Sequence, residues 1–340
     1  MPNTPTKILL STTLVGGILI SISANSWLGA WMGLEINLMS FIPLISSQEN
    51  IFTTEASLKY FIVQALASST LLFLVTTKAL INQAFLVGWG FNEYVIMTPL
   101  LLKMGAAPLH WWFPSVMEGL SWTNCLLMMT VQKAAPMMLI SYLMSTNALT
   151  LTIIMASVII GSVGGMNQTS LRKILTYSSI NHTGWMLTAI LGSINLWALY
   201  FTVYSLLTTT VTTITKSFNI SFVNQTLTAS SEKMIKFMLF TALLSLGGLP
   251  PFIGFLPKWA VIQTLIVSNL GFIMTTMVIA SLATLYYYLR VCYSSFMILH
   301  EEVKWGMKTY SQNKTIMYGV ILSSMSMMGL IACTMTTNIN

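Results

Sequence analysis

Three lysines stand inside long apolar stretches of this 340-residue sequence, at Lys103, Lys133 and Lys258. Glu35 lies in another apolar stretch near the N terminus. An ionisable group near the centre of a bilayer costs roughly 2.5 to 3.5 kcal/mol on insertion scales, and such residues usually mark an ion or proton path. Because amines and carboxylates exchange protons, these four residues predict proton transfer, not bond-making catalysis.

The presence of one acid among buried amines suggests how a proton could be moved. Burial favours the neutral form of a lysine and a nearby carboxylate favours its charged form, so a change in their pairing changes proton affinity. Two structural alternatives stay open. A lysine in a short span can extend its ammonium group to the membrane surface, and Glu35 can be a counter-charge only.

Two histidines, His182 and His110, are further candidates for the proton path. His182 follows the polar stripe TYSSIN on an otherwise apolar helix, and His110 follows Pro108 within a broken apolar segment. Each has a structural alternative. His182 can be a hydrogen-bonded core histidine, and His110 can cap carbonyl groups that the proline leaves without donors.

Two of the lysines lie in helices that the sequence interrupts. Residues 99–119 read PLLLKMGAAPLHWWFPSVMEG, in which Gly105, Pro108 and Pro114 oppose one regular helix around Lys103. Residues 245–259 read SLGGLPPFIGFLPKW and repeat this disruption beside Lys258. Corresponding breaks in two halves of a chain are typical of transporters built from inverted repeats, with the site at the breaks.

The composition predicts an all-α polytopic membrane protein. The sequence is 55% hydrophobic and 7% charged, with a mean hydropathy of +0.77. Its net charge of +7 is scattered through short connections, which argues against a nucleic-acid surface. The three cysteines stand far apart in apolar runs, so neither a disulfide framework nor a metal site is indicated.

Apolar stretches predict eleven transmembrane helices in a single antiporter-like domain over residues 1–340. The first repeat covers about 1–142, the second about 149–298, and a C-terminal helix about 315–336. The stretches are about 7–22, 26–45, 57–78, 93–118 (broken), 122–142, 149–166, 172–191, 194–218, 234–267 (broken), 270–298 and 315–336.

The basic residues outside the spans predict the orientation. With eleven crossings, only Lys78 falls on the side opposite the N terminus, and eleven of the 15 basic residues fall on the N-terminal side. The positive-inside rule then places the N terminus on the matrix or cytoplasmic side. The eleven are Lys7, Lys59, Arg172, Lys173, Lys216, Lys233, Lys236, Arg290, Lys304, Lys308 and Lys314.

The depth of the candidate residues can be estimated from the helical rise of about 1.5 Å per residue. Lys103 and Lys133 lie about 15 Å from the start of their spans, which is about half the hydrocarbon thickness. Glu35, His182 and Lys258 lie nine or ten residues from one end of theirs. The sequence therefore predicts one layer of titratable groups near the membrane midplane.

Five segments resemble the subunit 2 family of animal mitochondrial NADH dehydrogenase, one of the antiporter-like subunits of respiratory complex I. The resemblance covers nearly the whole chain, and the motifs occur in the family's order. The segments are SWLGAWMGLEINLMSFIPLI, TTEASLKYF, LLKMGAAPLHWWFPSVMEGL, NQTSLRKILTYSSINHTGWM and LSLGGLPPFIGFLPKW.

The resemblance implies a core membrane-arm subunit of a proton-pumping NADH:ubiquinone oxidoreductase. In the family, the positions matched by Glu35, Lys103, Lys133 and Lys258 form a central hydrophilic axis. NADH, FMN, iron–sulfur clusters and ubiquinone are implied on other subunits, with no cofactor bound by this chain. The implied partners are other membrane-arm subunits, lipid and protons, and not nucleic acid. The implied location is the mitochondrial inner membrane, with the N terminus in the matrix and the C terminus in the intermembrane space.

Three functional hypotheses follow. In the first, the chain is a proton-translocating module in which Glu35 changes its pairing with Lys103 and a proton moves through Lys133 toward Lys258. In the second, it is a secondary antiporter that exchanges a cation for protons. In the third, it is a scaffold whose charges only hold helices together.

Overall fold

The computed structural model describes residues 5–46, 50–84, 93–225, 233–297, 320–321, 323–329 and 334. Within these residues the chain is helical, and the β-structure consists of one isolated antiparallel bridge between Ser170 and Phe222. The prediction of an all-α chain is confirmed. The predicted helix at 315–336 lies largely outside the described residues.

Short connections join the helices of the described chain, which divides into two compact units, Met1–Ile153 and Ile154–Asn340. In chain order the helices are α1 (Pro5–Ser23), α2 (Trp27–Ile45), α3 (Ile51–Ala84), α4 (Glu93–Met104), α5 (Trp112–Gly119), α6 (Trp122–Met129), α7 (Val131–Ser141), α8 (Ala148–Gly164), α9 (Leu171–Gly192), α10 (Ile194–Ser217), α11 (Lys233–Gly247), α12 (Phe255–Val267) and α13 (Gly271–Met297).

The distribution of polar groups suits lipid surroundings. Large apolar side chains such as Leu19, Phe73 and Phe272 are exposed, whereas lysines are buried inside the units. Among the described residues, five helical stretches are long and apolar enough to cross a membrane. They are Pro5–Ser23, Trp27–Ile45, Ile51–Leu80, Ile194–Ser217 and Gly271–Tyr293. An apolar surface over a partly polar interior is the arrangement that a bilayer solvent favours.

Both predicted helix breaks are present. The stretch 93–118 is interrupted between Met104 and Trp112, and the stretch 234–267 is interrupted between Gly247 and Phe255. Pro114 does not contribute to the first break, contrary to the prediction, because it lies in the first turn of α5. A proline is tolerated there, since the backbone N–H that it lacks would have no helical partner.

Two other helices differ from the predicted boundaries. The stretch 122–142 is interrupted at Thr130, whose φ of −112° and ψ of −74° depart from helical values. The Thr130 hydroxyl donates to Leu126 O at 2.7 Å, and Pro136 cannot donate to the carbonyl of the preceding turn. Helix α3 begins at Ile51 and ends at Ala84, so it extends beyond the predicted 57–78 at both ends. The Glu55–Lys59 ion pair at 2.6 Å supports the helix ahead of the apolar run.

Candidate functional site

In the first unit, Lys103 occupies the last turn of α4, immediately before the break. Gly105 ends this half-helix with a φ of +70°, a backbone conformation that favours glycine. The carbonyl groups left free at the helix end receive side-chain donors. Trp112 Nε1 donates to Leu102 O at 3.1 Å, and Gln64 Nε2 donates to Lys103 O at 3.1 Å. The break is thus stabilised without use of the lysine ammonium group.

The side chain of Lys103 is 7% exposed and borders a cavity of about 10 Å³. Four other polar side chains line this cavity, together with two leucines and a proline. Among the described residues, Lys103 accepts a side-chain hydrogen bond from Gln64 at its backbone O, and none is donated by Nζ. The four polar side chains are those of Asn37, Tyr60, Gln64 and Gln132. We call Lys103 and these four residues the amide pocket.

Glu35 lies on α2, two residues before Asn37, and is half-buried. Its carboxylate attracts the Lys103 ammonium group electrostatically, and within the described structure the two do not form a direct ion pair. The structure therefore brings together the acid and one of the amines that the sequence singled out. Their interaction acts across a gap, not through a fixed salt bridge.

Lys133 lies on α7, three residues after the interruption at Thr130, and is 1% exposed. Its Nζ lies 4.9 Å from the ring centroid of Phe113, on α5 of the same unit. The face of an aromatic ring attracts a cation through its quadrupole. Because α7 packs against α4, the helices of Lys133 and Lys103 are direct neighbours.

In the second unit, Lys258 lies on α12 and is 6% exposed. Its ammonium group donates to Gly247 O at 2.7 Å and approaches Leu246 O at 3.5 Å. These carbonyl groups end α11, where Gly248 has a φ of +80°. The C-terminal end of a helix is the negative end of its dipole and presents unpaired carbonyls, so a cation is stabilised there.

His182 lies on α9 of the second unit, and helices α9 and α12 pack together. Its Nδ1 is 2.9 Å from Tyr200 Oη, and the ring of Tyr204 lies 5.0 Å away between centroids. Trp185, one turn further along α9, places its ring 5.8 Å from Lys258 Nζ. His182 is thus a buried, hydrogen-bonded side chain on a helix that packs against the helix of Lys258, and its role in proton transfer stays a prediction.

His110 lies in the connection between α4 and α5 and is half-buried. Its Nδ1 is 3.2 Å from Pro108 O. A carbonyl oxygen only accepts, so Nδ1 is the donor in this contact. The geometry matches the capping alternative for His110 at one ring nitrogen, while its proposed relay role stays a prediction.

Sequence reasoning missed the amide pocket around Lys103. The other pocket residues are polar side chains within apolar helices. The sequence did not single them out, because none is an acid, an amine or an imidazole. They are Asn37, Gln132, Tyr60 and Gln64. Signals for them exist in the sequence. Asn37 follows Glu35 by two positions, Gln132 directly precedes Lys133, and Tyr60 and Gln64 are one helical turn apart on α3.

The described residues contain no group of three or more His, Cys, Asp or Glu side chains arranged to hold a metal ion. Cys125 and Cys292 are buried thiols in different units, and Cys333 lies outside the described residues.

Two known families match successive parts of the sequence. The first, described as NADH:quinone oxidoreductase/Mrp antiporter, matches residues 24–284, and the second, described as NADH dehydrogenase subunit 2 C-terminus, matches residues 285–337. The NADH-ubiquinone oxidoreductase chain 2 of Anopheles gambiae is 50% identical over 325 residues, which are 95% of this chain and 95% of that protein. The chain belongs to the NADH-ubiquinone oxidoreductase chain 2 family. The predicted subunit class is thereby confirmed.

Solved structures support the antiporter-like fold of this chain 2 family member. A chain of respiratory complex I from Thermus thermophilus aligns with a TM-score of 0.82 at 23% identity, covering 98% of this chain and 79% of that one. A chain of the Mrp complex from Dietzia sp. DQ12-45-1b aligns with a TM-score of 0.77 at 17% identity, covering 89% of this chain and 62% of that one. At such identities the likeness supports the fold alone.

Proposed function

We propose that this chain is a membrane subunit of NADH-ubiquinone oxidoreductase that contributes a proton path through Glu35, Lys103, Lys133 and Lys258. NADH oxidation and quinone reduction, with FMN and iron–sulfur clusters, belong to other subunits of the complex. The partners of the chain are the other membrane subunits, lipid and the protons that it moves. Its location is the mitochondrial inner membrane.

The observation that supports this function best is the burial of three lysines in apolar helices, at 7%, 1% and 6% exposure for Lys103, Lys133 and Lys258. Buried lysines without function are costly, because desolvation of an ammonium group is only partly offset by polar contacts. A group that must gain and lose a proton requires such surroundings, since they bring its two protonation states close in free energy.

The order of events is part of the proposal. A change of charge at a neighbouring subunit alters the pairing of Glu35 with Lys103, and Lys103 then binds or releases a proton. The proton passes through Lys133 toward Lys258, with His182 as a relay in the second unit and His110 as a relay at the first break. The electrostatic coupling of Glu35 to Lys103 across a gap supports the first step, because a gap leaves the pairing adjustable.

The architecture that we propose for this function has eleven membrane spans and two inverted repeats, about 1–142 and 149–298, followed by a helix at about 315–336. Each unit contains a broken helix in which a glycine of positive φ follows the first half-helix and a buried lysine lies nearby, which supports the repeat. The excess of basic residues on one side of the predicted spans supports an N terminus in the matrix and a C terminus in the intermembrane space.

The replacement Lys103→Met tests the function in the assembled complex. It removes the charge and keeps the length of the side chain, so packing is largely retained. We expect proton pumping and quinone-coupled turnover to fall at least tenfold. NADH oxidation by an artificial acceptor should stay unchanged, because it does not depend on the membrane path. Pumping is measured in vesicles as the pH change per NADH oxidised.

The matched control is Lys59→Met, which neutralises a lysine in the same unit whose side chain is 47% exposed and paired with Glu55. An exposed ion pair contributes only about 0 to 1 kcal/mol, so this variant should pump normally. If assembled Lys103→Met complexes pump at the natural rate, the proposed path through Lys103 is wrong. If the variants block assembly but assembled complexes never lose coupling, the chain is a scaffold.

A second function, exchange of a cation for protons by this chain itself, is favoured by the match to the NADH:quinone oxidoreductase/Mrp antiporter family. The two functions differ in what they require. An antiporter sustains ion flux when the purified chain is reconstituted in vesicles without any NADH-oxidising partner. The proposed path gives no such flux, because its charge changes originate in the other subunits.

A further inference from the structure

The amide pocket contains a chain of hydrogen bonds that joins three helices of the first unit. Tyr60 Oη on α3 donates to Gln132 Oε1 on α7 at 3.3 Å, and Gln132 Nε2 donates to Asn37 Oδ1 on α2 at 2.9 Å. Each bond fixes the orientation of the next amide, because an oxygen must accept and a nitrogen must donate. The helix of Glu35 and the helix of Lys133 are therefore tied together beside Lys103.

The Lys103 ammonium group has hydrogen-bonding capacity to spare. Its side chain is 7% exposed, and among the described residues no hydrogen bond is donated by Nζ. An ammonium group has three donors, and buried donors are normally satisfied by protein or by ordered water. Because Lys103 lines the cavity, a water molecule in the cavity can accept a hydrogen bond from its ammonium group.

The cavity fits one water molecule. Its volume of about 10 Å³ is close to the minimum that a single water needs. A buried water is stable when about three polar groups surround it, and this pocket offers more than two. Lys103 can donate to the water, and Gln64 keeps Oε1 as an acceptor because its Nε2 is already bonded to Lys103 O. The second N–H of the Gln132 amide and the Asn37 amide N–H groups supply further donors.

We propose that Gln132 and Asn37 are positioning residues that hold one water molecule against the Lys103 ammonium group. This inference rests on the proposed function. In the proposed path, the water accepts a proton from the charged Lys103 ammonium group and gives up one of its own toward the neutral Lys133 amine. Lys103 then ends neutral, Lys133 ends charged, and a water molecule is left in place. The side-chain amides of Gln132 and Asn37 fix the position of the water. Their hydrogen bond also keeps α2 and α7 at a separation at which the cavity admits one water molecule only.

The test uses three variants in the assembled complex. Gln132→Leu and Asn37→Leu remove one amide each from the pocket. The double exchange Asn37→Gln with Gln132→Asn keeps both amides and the combined side-chain length. Asn124→Leu is the matched control, since Asn124 Nδ2 also ties a neighbouring helix to α2, by donating to Leu44 O at 3.0 Å, but does not line the cavity.

We expect pumping per NADH oxidised to fall roughly tenfold in each single pocket variant, which corresponds to the loss of about one hydrogen bond at the transfer step. Asn124→Leu should pump within about twofold of the natural chain, and the double exchange should recover most of the lost pumping. High-resolution maps should show one water density within hydrogen-bonding distance of Lys103 Nζ in the natural chain and in Asn124→Leu. The same density should be absent in Gln132→Leu.

Two results would overturn the inference. One is normal pumping in both single pocket variants, and the other is a water density that persists in Gln132→Leu. An equal loss in Gln132→Leu and Asn124→Leu, without recovery by the double exchange, would assign the effect to helix packing and also reject it. Failure of the proposed function is a separate outcome, because it is read from Lys103→Met. If Lys103→Met abolishes pumping while Gln132→Leu does not, only the water site is wrong.

Discussion

The two broken helices place their lysines in opposite halves. In the first unit Lys103 lies in the last turn of the first half-helix, α4, and in the second unit Lys258 lies in the first turn of the second half-helix, α12. Each break nevertheless begins with a glycine of positive φ, at Gly105 and Gly248, directly after the first half-helix. Lys103 therefore lies near the C-terminal end of α4, and the Lys258 side chain lies near the C-terminal end of α11. The C-terminal end of a helix is the end that stabilises a cation.

The difference lies in what occupies the free carbonyls. At the first break, Trp112 and Gln64 donate to the free carbonyls. Lys103 lines the amide pocket, and its charge is attracted by the Glu35 carboxylate. At the second break, Lys258 itself donates to Gly247 O, and the sequence from 154 to 231 and from 233 to 300 contains no acidic residue. The same local pattern thus leaves the Lys103 ammonium group off the carbonyls of its helix end and places that of Lys258 on them.

The largest effect is expected when Lys103 and Lys258 are each replaced by methionine and the amount of assembled complex is compared. Lys258→Met leaves Gly247 O without its donor at a buried helix end, at a cost of about 1 to 3 kcal/mol for an unsatisfied group. We expect several-fold less assembled complex on a native gel. Lys103→Met removes no described hydrogen bond of Nζ, so its assembled amount should equal that of the natural chain.

The two variants are controls for each other, since the substitution, the burial and the broken helix are alike. Equal assembly of both would show that the Lys258 contact contributes nothing to the fold, and the distinction between the two breaks would fail. Loss of assembly in Lys103→Met, with normal assembly of Lys258→Met, would show that Lys103 and not Lys258 is the lysine that stabilises its break.

Sequence reasoning located the breaks because they rest on glycine and proline, which act through the backbone and are visible in one dimension. Burial of Lys103, Lys133 and Lys258 was likewise predictable. A charged side chain in the middle of an apolar span avoids lipid by pointing into the protein. The contacts of the ammonium groups were not predictable. Lys258 bonds to carbonyl groups eleven and twelve positions earlier, across a turn whose path depends on three-dimensional packing.

The interruption at Thr130 and the amide pocket escaped prediction for a related reason. A threonine in an apolar span usually bonds its own helix without ending it, so its sequence signal is ambiguous. Asn37, Tyr60 and Gln132 come from helices far apart in sequence, and no local pattern reports that they meet. Such sites require the tertiary arrangement.

A smaller effect is expected from alanine at the two positive-φ glycines. Gly105→Ala and Gly248→Ala should each cost about 1 to 2 kcal/mol, because the left-handed conformation crowds a Cβ. At Gly248 the new Cβ would lie 2.9 Å from Lys258 Cδ and 3.0 Å from its Nζ, whereas at Gly105 it would lie 3.1 Å from Phe113 Cβ. We therefore expect both variants to lower the thermal stability of the complex and only Gly248→Ala to move a lysine ammonium group directly.

Thermal denaturation and pumping per assembled complex measure the two effects separately. Gly16→Ala and Gly271→Ala are the controls for the respective units, since a Cβ at either position meets no atom within 4 Å. The contrast between the breaks would be contradicted if Gly105→Ala lowered pumping per assembled complex more than Gly248→Ala.

The smallest effect concerns the ring beneath Lys133. Phe113→Leu removes an aromatic face 4.9 Å from Nζ, an interaction of about 0.5 to 1.4 kcal/mol, so pumping should fall roughly twofold to tenfold at normal assembly. Trp185→Phe keeps a ring near Lys258, whose ammonium group is also held by carbonyls, and should change pumping less. Phe41→Leu removes a buried ring of the same unit that contacts Tyr60. If it lowers pumping as much as Phe113→Leu, packing explains both losses and the aromatic ring does not act on the lysine.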